Sequence, residues 1–156
     1  MWKSSLTLAA ASVALTAAFA TPSLAAPGDF VGTWVNKDGN TRGITRLVVT
    51  SAGGNKLNIQ VFGKCHPTDC DWGTTSLLTY GVNVQDTNHG YGSANYNKGF
   101  ANTFLGLGQS GQEIMVQSYT QFLDNSGRQN YYSREYFQRV PVVKVPIRKL
   151  PITPFR

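Results

Sequence analysis

The chain is poor in the residues that most chemistry needs. It has two cysteines, two histidines and two methionines, and only 14% of its 156 residues are charged. No second Cys/His pair is present to complete a four-ligand zinc site. There is no serine nucleophile elbow, no phosphate loop and no zincin helix. An enzyme is therefore not expected, and no cofactor is implied. Helical periodicity is also missing: after Ala26 no stretch keeps it for about ten residues. No run after the first 25 residues is apolar enough to span a membrane as a helix. Thirteen of the fourteen Lys and Arg and all eight acids follow Ala25, an excess of five positive charges. This is a mild excess that concentrates near the C-terminus. It does not make the basic stripe that nucleic acid would require.

The first 25 residues read as an export signal. Lys3 is followed by the apolar run from Leu6 to Ala20, a helix-breaking Pro22 and the small residues Ser23 and Ala25. That order of charge, apolar core and small residues fits a secretory leader cut after Ala25, with Ala20 as the second site. A secreted or periplasmic location follows. The domain plan is a signal peptide over 1–25, a β domain over 26–140 and a Pro-rich basic tail over 141–156. The tail carries Lys144, Arg148, Lys149 and Arg156 among apolar residues and four prolines, which bar regular ladder pairing. It is expected to be an extended arm. An anionic surface or a protein partner is the reading that suits it.

The middle of the chain alternates with period two. Leu57, Ile59 and Val61 share one face and Lys56, Asn58 and Gln60 the other. This is the clearest half-buried strand. Similar runs cover Asp29–Asn36, Arg42–Thr50, Gly73–Tyr80, Tyr91–Leu107 as one or two strands, Glu113–Phe122 and Gln129–Arg139. Turn sequences such as Asp38-Gly39, Gly53-Gly54 and Asn125-Ser126-Gly127 separate them. The expected fold is all-β: an antiparallel up-and-down barrel of about seven or eight strands, with a β-sandwich as the alternative.

The stretch Gly63-Lys64-Cys65-His66-Pro67-Thr68-Asp69-Cys70-Asp71-Trp72-Gly73 gathers the rarest residues of the chain. Two cysteines in an exported protein most simply pair, and Pro67 and Asp69 favour the turn that brings Cys65 to Cys70. A metal site of Cys65, His66, Asp69, Cys70 and Asp71 is the competing reading. It loses on compartment and ligand count, so no metal is expected. Trp72 reads either as core filling beside the staple or as a stacking surface at an open mouth. His89 reads as an exposed loop residue. The candidates for ligand contact are Trp72, His66, Asp69, Asp71, Tyr119 and Tyr131.

Gly32-Thr33-Trp34-Val35-Asn36 resembles the first-strand G-x-W signature of the calycin barrels, the lipocalins, avidins and their small relatives. The resemblance implies that Trp34 closes one barrel end and that a late cation packs over its ring. Arg139 is the expected partner and Arg134 the second choice. The segment Cys65-x-Pro67-Thr68-x-Cys70-Asp71-Trp72-Gly73 is also similar to one in a group of short secreted bacterial proteins. The functional expectation is a secreted binding protein that carries a small apolar or aromatic ligand in a barrel pocket. The alternative is an interaction module, an inhibitor or surface binder, acting through the stapled turn and the tail.

Overall fold

A computed structural model describes residues 26–142. The expected signal peptide and most of the basic tail lie outside the described residues. Eight antiparallel strands follow one another in order and close on themselves: β1 (Gly32–Asn36), β2 (Ile44–Ser51), β3 (Leu57–Gly63), β4 (Cys70–Tyr80), β5 (Tyr91–Asn97), β6 (Ala101–Ser110), β7 (Glu113–Phe122) and β8 (Tyr131–Arg139). β1 pairs with both β2 and β8, with Trp34 opposite Leu47 on one side and Arg139 on the other. Closure leaves no free sheet edge. The fold is the up-and-down barrel, not the sandwich. Among the described residues, no helix is long and apolar enough to cross a membrane.

The period-two pattern decides what goes inside. Leu57, Ile59 and Val61 of β3 are buried, as are Leu105 and Leu107 of β6 and Ile114 and Val116 of β7. With Trp34, Phe30, Val49, Leu77 and Phe137 they pack one end of the barrel solid. One expected boundary moves here. Asp29 and Phe30 do not begin β1 but belong to a short 3-10 turn over Pro27–Phe30. Phe30 is thereby driven fully into the barrel, and the turn plugs that end.

Trp34 and Arg139 meet at this plug. The guanidinium carbon lies 4.1 Å from the centre of the indole ring. Nη1 donates to the Val31 carbonyl and Nη2 to the Asp29 carbonyl, while the indole Nε1 donates to the Phe30 carbonyl at 2.8 Å. Arg134, the second choice, is exposed and lies away from the plug on the outer face of β8. The plugged end can be called the floor. Ala26 and Val140 both lie at it, since Val140 N donates to the Thr33 carbonyl at 2.8 Å.

Two irregularities shape the other end. Register shifts fall between Ile44 and Arg46 on the β2–β3 ladder and between Gln60 and Phe62 on the β3–β4 ladder. The second inserts an extra residue on β4 at Trp72-Gly73, and Gly73 takes a φ of 83° that suits glycine. Counting back from Leu77 and Thr75 by twos would point Trp72 to solvent. The bulge reverses that parity and turns the indole inward.

Candidate functional site

The open end is ringed by the β1–β2, β3–β4, β5–β6 and β7–β8 connections. Inside it lies a cavity of ≈ 450 Å³ lined by Ile44, Cys65, Trp72, Ser118, Tyr131, Ser133 and Glu135, among others. Each side chain arrives by the inward parity of its strand, Ser118 from β7 and Tyr131, Ser133 and Glu135 from β8. Trp72 arrives through its bulge. It needs a bare backbone opposite: a Cβ at Gly63 would sit 2.7 Å from the indole Nε1. The ring stands edge-on to Tyr96, with centroids 5.8 Å apart and planes at 76°. Lys98 places its Nζ 4.8 Å from the indole centre. Burial pushes the Lys98 ammonium below its ordinary pKa, with the charge of Asp71 opposing that shift.

Beneath the cavity the barrel turns polar before it turns apolar. Thr103 and Thr120 are buried and share a hydrogen bond of 3.1 Å. Ser118 and Ser133 share one of 2.7 Å. Tyr96 reaches from β5 across to β3, where its hydroxyl donates to the Ile59 carbonyl at 2.7 Å. Burial raises the Tyr96 phenol far above its usual pKa, and the nearby Asp71 charge adds to the effect.

Glu135 ties the rim together. Its carboxylate accepts from Asn36 Nδ2 at 3.0 Å, Thr41 Oγ1 at 2.5 Å and the Ile44 backbone N–H at 3.1 Å. Strand β8 therefore holds the β1–β2 connection in one shape. The facing wall is held by the Cys65–Cys70 disulfide, with its Cα atoms 5.4 Å apart.

The structure divides the sequence candidates. Trp72 and Tyr131 line the cavity. His66 does not; it is exposed at the tip of the stapled connection. Asp69 accepts from Thr45 Oγ1 at 2.7 Å and faces Lys64 Nζ at 3.8 Å. Asp71 lies on the outside, where it accepts from Gln60 Nε2 at 2.7 Å and from the Gly73 N–H at 2.8 Å. Both acids thus hold the turn and the bulge rather than face the interior. Tyr119 is also outside, 50% exposed. Ser118 and Thr120 point in, and a strand cannot present consecutive residues to one face. His89 is half-buried, with Nδ1 2.8 Å from Thr79 Oγ1. Sequence reasoning missed Glu135, Ser118 and Ser133. The inward parity of β7 and β8 was the signal that would have found them.

Comparison with known proteins brings no match: no family model fits the chain, and no curated protein or solved structure is significantly similar to it.

Proposed function

We propose that the protein is an exported small-molecule binding protein of the calycin type. Its ligand enters the open end and stops above the packed floor. One observation carries this reading: a cavity of ≈ 450 Å³ at the end opposite the Trp34 plug, walled by Trp72 and Tyr131 with buried hydroxyls beneath. A site of this size takes one small molecule. The indole and phenol rings favour a flat or aromatic body. Ser118, Ser133 and Glu135 favour a ligand with a hydrogen-bonding edge over a wholly apolar one. The rim is preorganised by the Glu135 bonds and by the disulfide, so little order is lost on binding. The Gly32-Thr33-Trp34 segment, with Arg139 over the indole, supports the lipocalin or avidin likeness. The leader-like N-terminus supports export.

The test is a native mass spectrum of the exported protein, followed by a thermal-shift screen of small aromatic compounds. Binding of at least one compound, quenched tryptophan fluorescence and loss of both in Trp72→Ala are expected. A screen in which nothing binds and nothing co-purifies overturns the reading. So does a ligand that Trp72→Ala holds as tightly as the natural protein.

A further inference from the structure

The outside of the barrel carries a second candidate surface, which meets the mouth at the rim. Phe104 of β6, Tyr119 of β7 and Tyr132 of β8 are register partners on adjacent strands and all point outward. They are 42%, 50% and 48% exposed. Their ring centroids lie 6.3 and 5.2 Å apart, and their planes are tilted by 42° and 46°. Three large rings in one outward row exceed what cross-strand packing requires, because a solvated sheet face is normally polar.

Amides flank this row. Asn95 of β5 is the register partner of Phe104 and extends the row by one strand. Asn102 and Gln121 pair with each other two residues closer to the rim, parallel to the rings. All three are exposed. A pocket of ≈ 810 Å³ at the rim runs from this row over to the inward-facing Tyr96, Thr103, Thr120 and Tyr131, and among the described residues no charged side chain lines it. Arg134, two residues beyond Tyr132 on the outer face of β8, borders the row but is not part of that lining.

We infer that this outer row of rings and amides binds a neutral oligosaccharide chain. A pyranose ring has a face of C–H bonds that packs on an aromatic face. Its rim of hydroxyls both donates and accepts, as does a side-chain amide, which carries one acceptor and two donors. A row of rings beside a row of amides therefore matches successive sugar units on both counts. Among the described residues the lining offers a uronic acid, a nucleic acid or an acidic peptide no interleaved cation, and Arg134 stands only at its border, which favours a neutral chain. A second copy of the chain is the other occupant such a face accepts, and the experiment separates the two.

The protein is run on native gels cast with soluble starch, mixed-linkage β-glucan, galactomannan or glycol chitin, and with polygalacturonate as the charged control. At least one neutral polymer is expected to retard it, and high salt is not expected to relieve the retardation. Tyr119→Ala should weaken binding about tenfold, the loss of one stacking contact. Tyr119→Trp should keep it, and Asn102→Ala should weaken it severalfold. Both positions are exposed, so unchanged thermal midpoints certify folding. Trp72→Ala should bind the polymer as the natural protein does, which keeps this result separate from the mouth. The proposal is overturned by retardation in none of the neutral gels or in polygalacturonate alone. It is equally overturned if Trp72→Ala abolishes retardation while Tyr119→Ala does not. A natural protein that sediments as a dimer, with Tyr119→Ala monomeric, would assign the face to a second copy instead.

Discussion

Arg139→Met is the most informative single change at the plug. Methionine keeps most of the apolar stem and deletes the guanidinium. Lost with it are two charge-assisted hydrogen bonds, to the Val31 and Asp29 carbonyls, and the contact over Trp34. Hydrogen bonds from a charged donor contribute about 1.5–3 kcal/mol each, and a desolvated cation–π contact about 2 kcal/mol. One term acts the other way: among the described residues Arg139 Nε is buried without a hydrogen-bond partner, and removing it recovers about 1–3 kcal/mol. The net loss is on the order of 4–5 kcal/mol. For a domain of this size that lowers the melting temperature by roughly 15–20 °C. Urea and thermal unfolding of the purified domain read it directly. A cycle with Trp34→Phe isolates the stacking: the second substitution should cost about 1 kcal/mol less when Arg139→Met is already in place. A midpoint that moves by no more than about 2 °C would refute the argument. It would mean that burial of Phe30 and Trp34 closes the barrel without the cation.

Tyr96→Phe tests the phenol that crosses the interior. Below its ordinary pKa of 10.0 both states keep the proton. Above it the unfolded chain loses the proton while the buried phenol retains it, so folding stability falls as pH rises. The phenylalanine variant should lose about 1–2 kcal/mol at neutral pH, through the orphaned Ile59 carbonyl, but show a shallower alkaline decline. An unchanged alkaline slope in urea titrations would count against it. Replacing Cys65 and Cys70 together by serine should cost about 2 kcal/mol, the closure entropy of so short a loop, and leave the barrel's far-UV spectrum intact. Loss of the fold would show that the staple does more than shape the turn. Glu135→Gln should speed amide exchange at Ile44 and lower stability by about 1–3 kcal/mol, because an amide cannot accept all three donors in the same geometry. Unchanged exchange would mean the β1–β2 connection is held by its own turn.

The barrel was legible because its signals are local. Alternation in Leu57–Val61 and Glu113–Phe122 fixes which residues face inward, and Gly- and Asp-rich turns mark the reversals. The Trp34–Arg139 pairing was accessible through the G-x-W resemblance, although the two residues are far apart in sequence. What escaped depends on parity across irregularities. The β4 strand was expected to begin at Gly73, yet it begins at Cys70. The bulge, not the alternation, turns Trp72 inward, and no composition signal gives the place of a bulge. Tyr119 is the opposite case. Its neighbours Ser118 and Thr120 already assigned it to the outside, and aromatic character alone made it look like a pocket residue. Asp69 and Asp71 show that acids clustered in a turn are claimed first by nearby amides and hydroxyls. Ser118, Ser133 and Glu135 sit at inward positions that the alternation of β7 and β8 already marks, but that they meet β1 and β2 at one rim follows only from closure of the sheet.

The plug joins the start of the described chain to its last strand, so both ends of the described segment lie at the same pole. An anchor, a fusion or a solid support joined directly at Ala26 or at Val142 is hung from that pole. The cavity then looks outward from whatever the protein is fixed to, unobstructed by the attachment. Under the proposed function, a domain tethered there should therefore bind a small ligand at the mouth as the free one does.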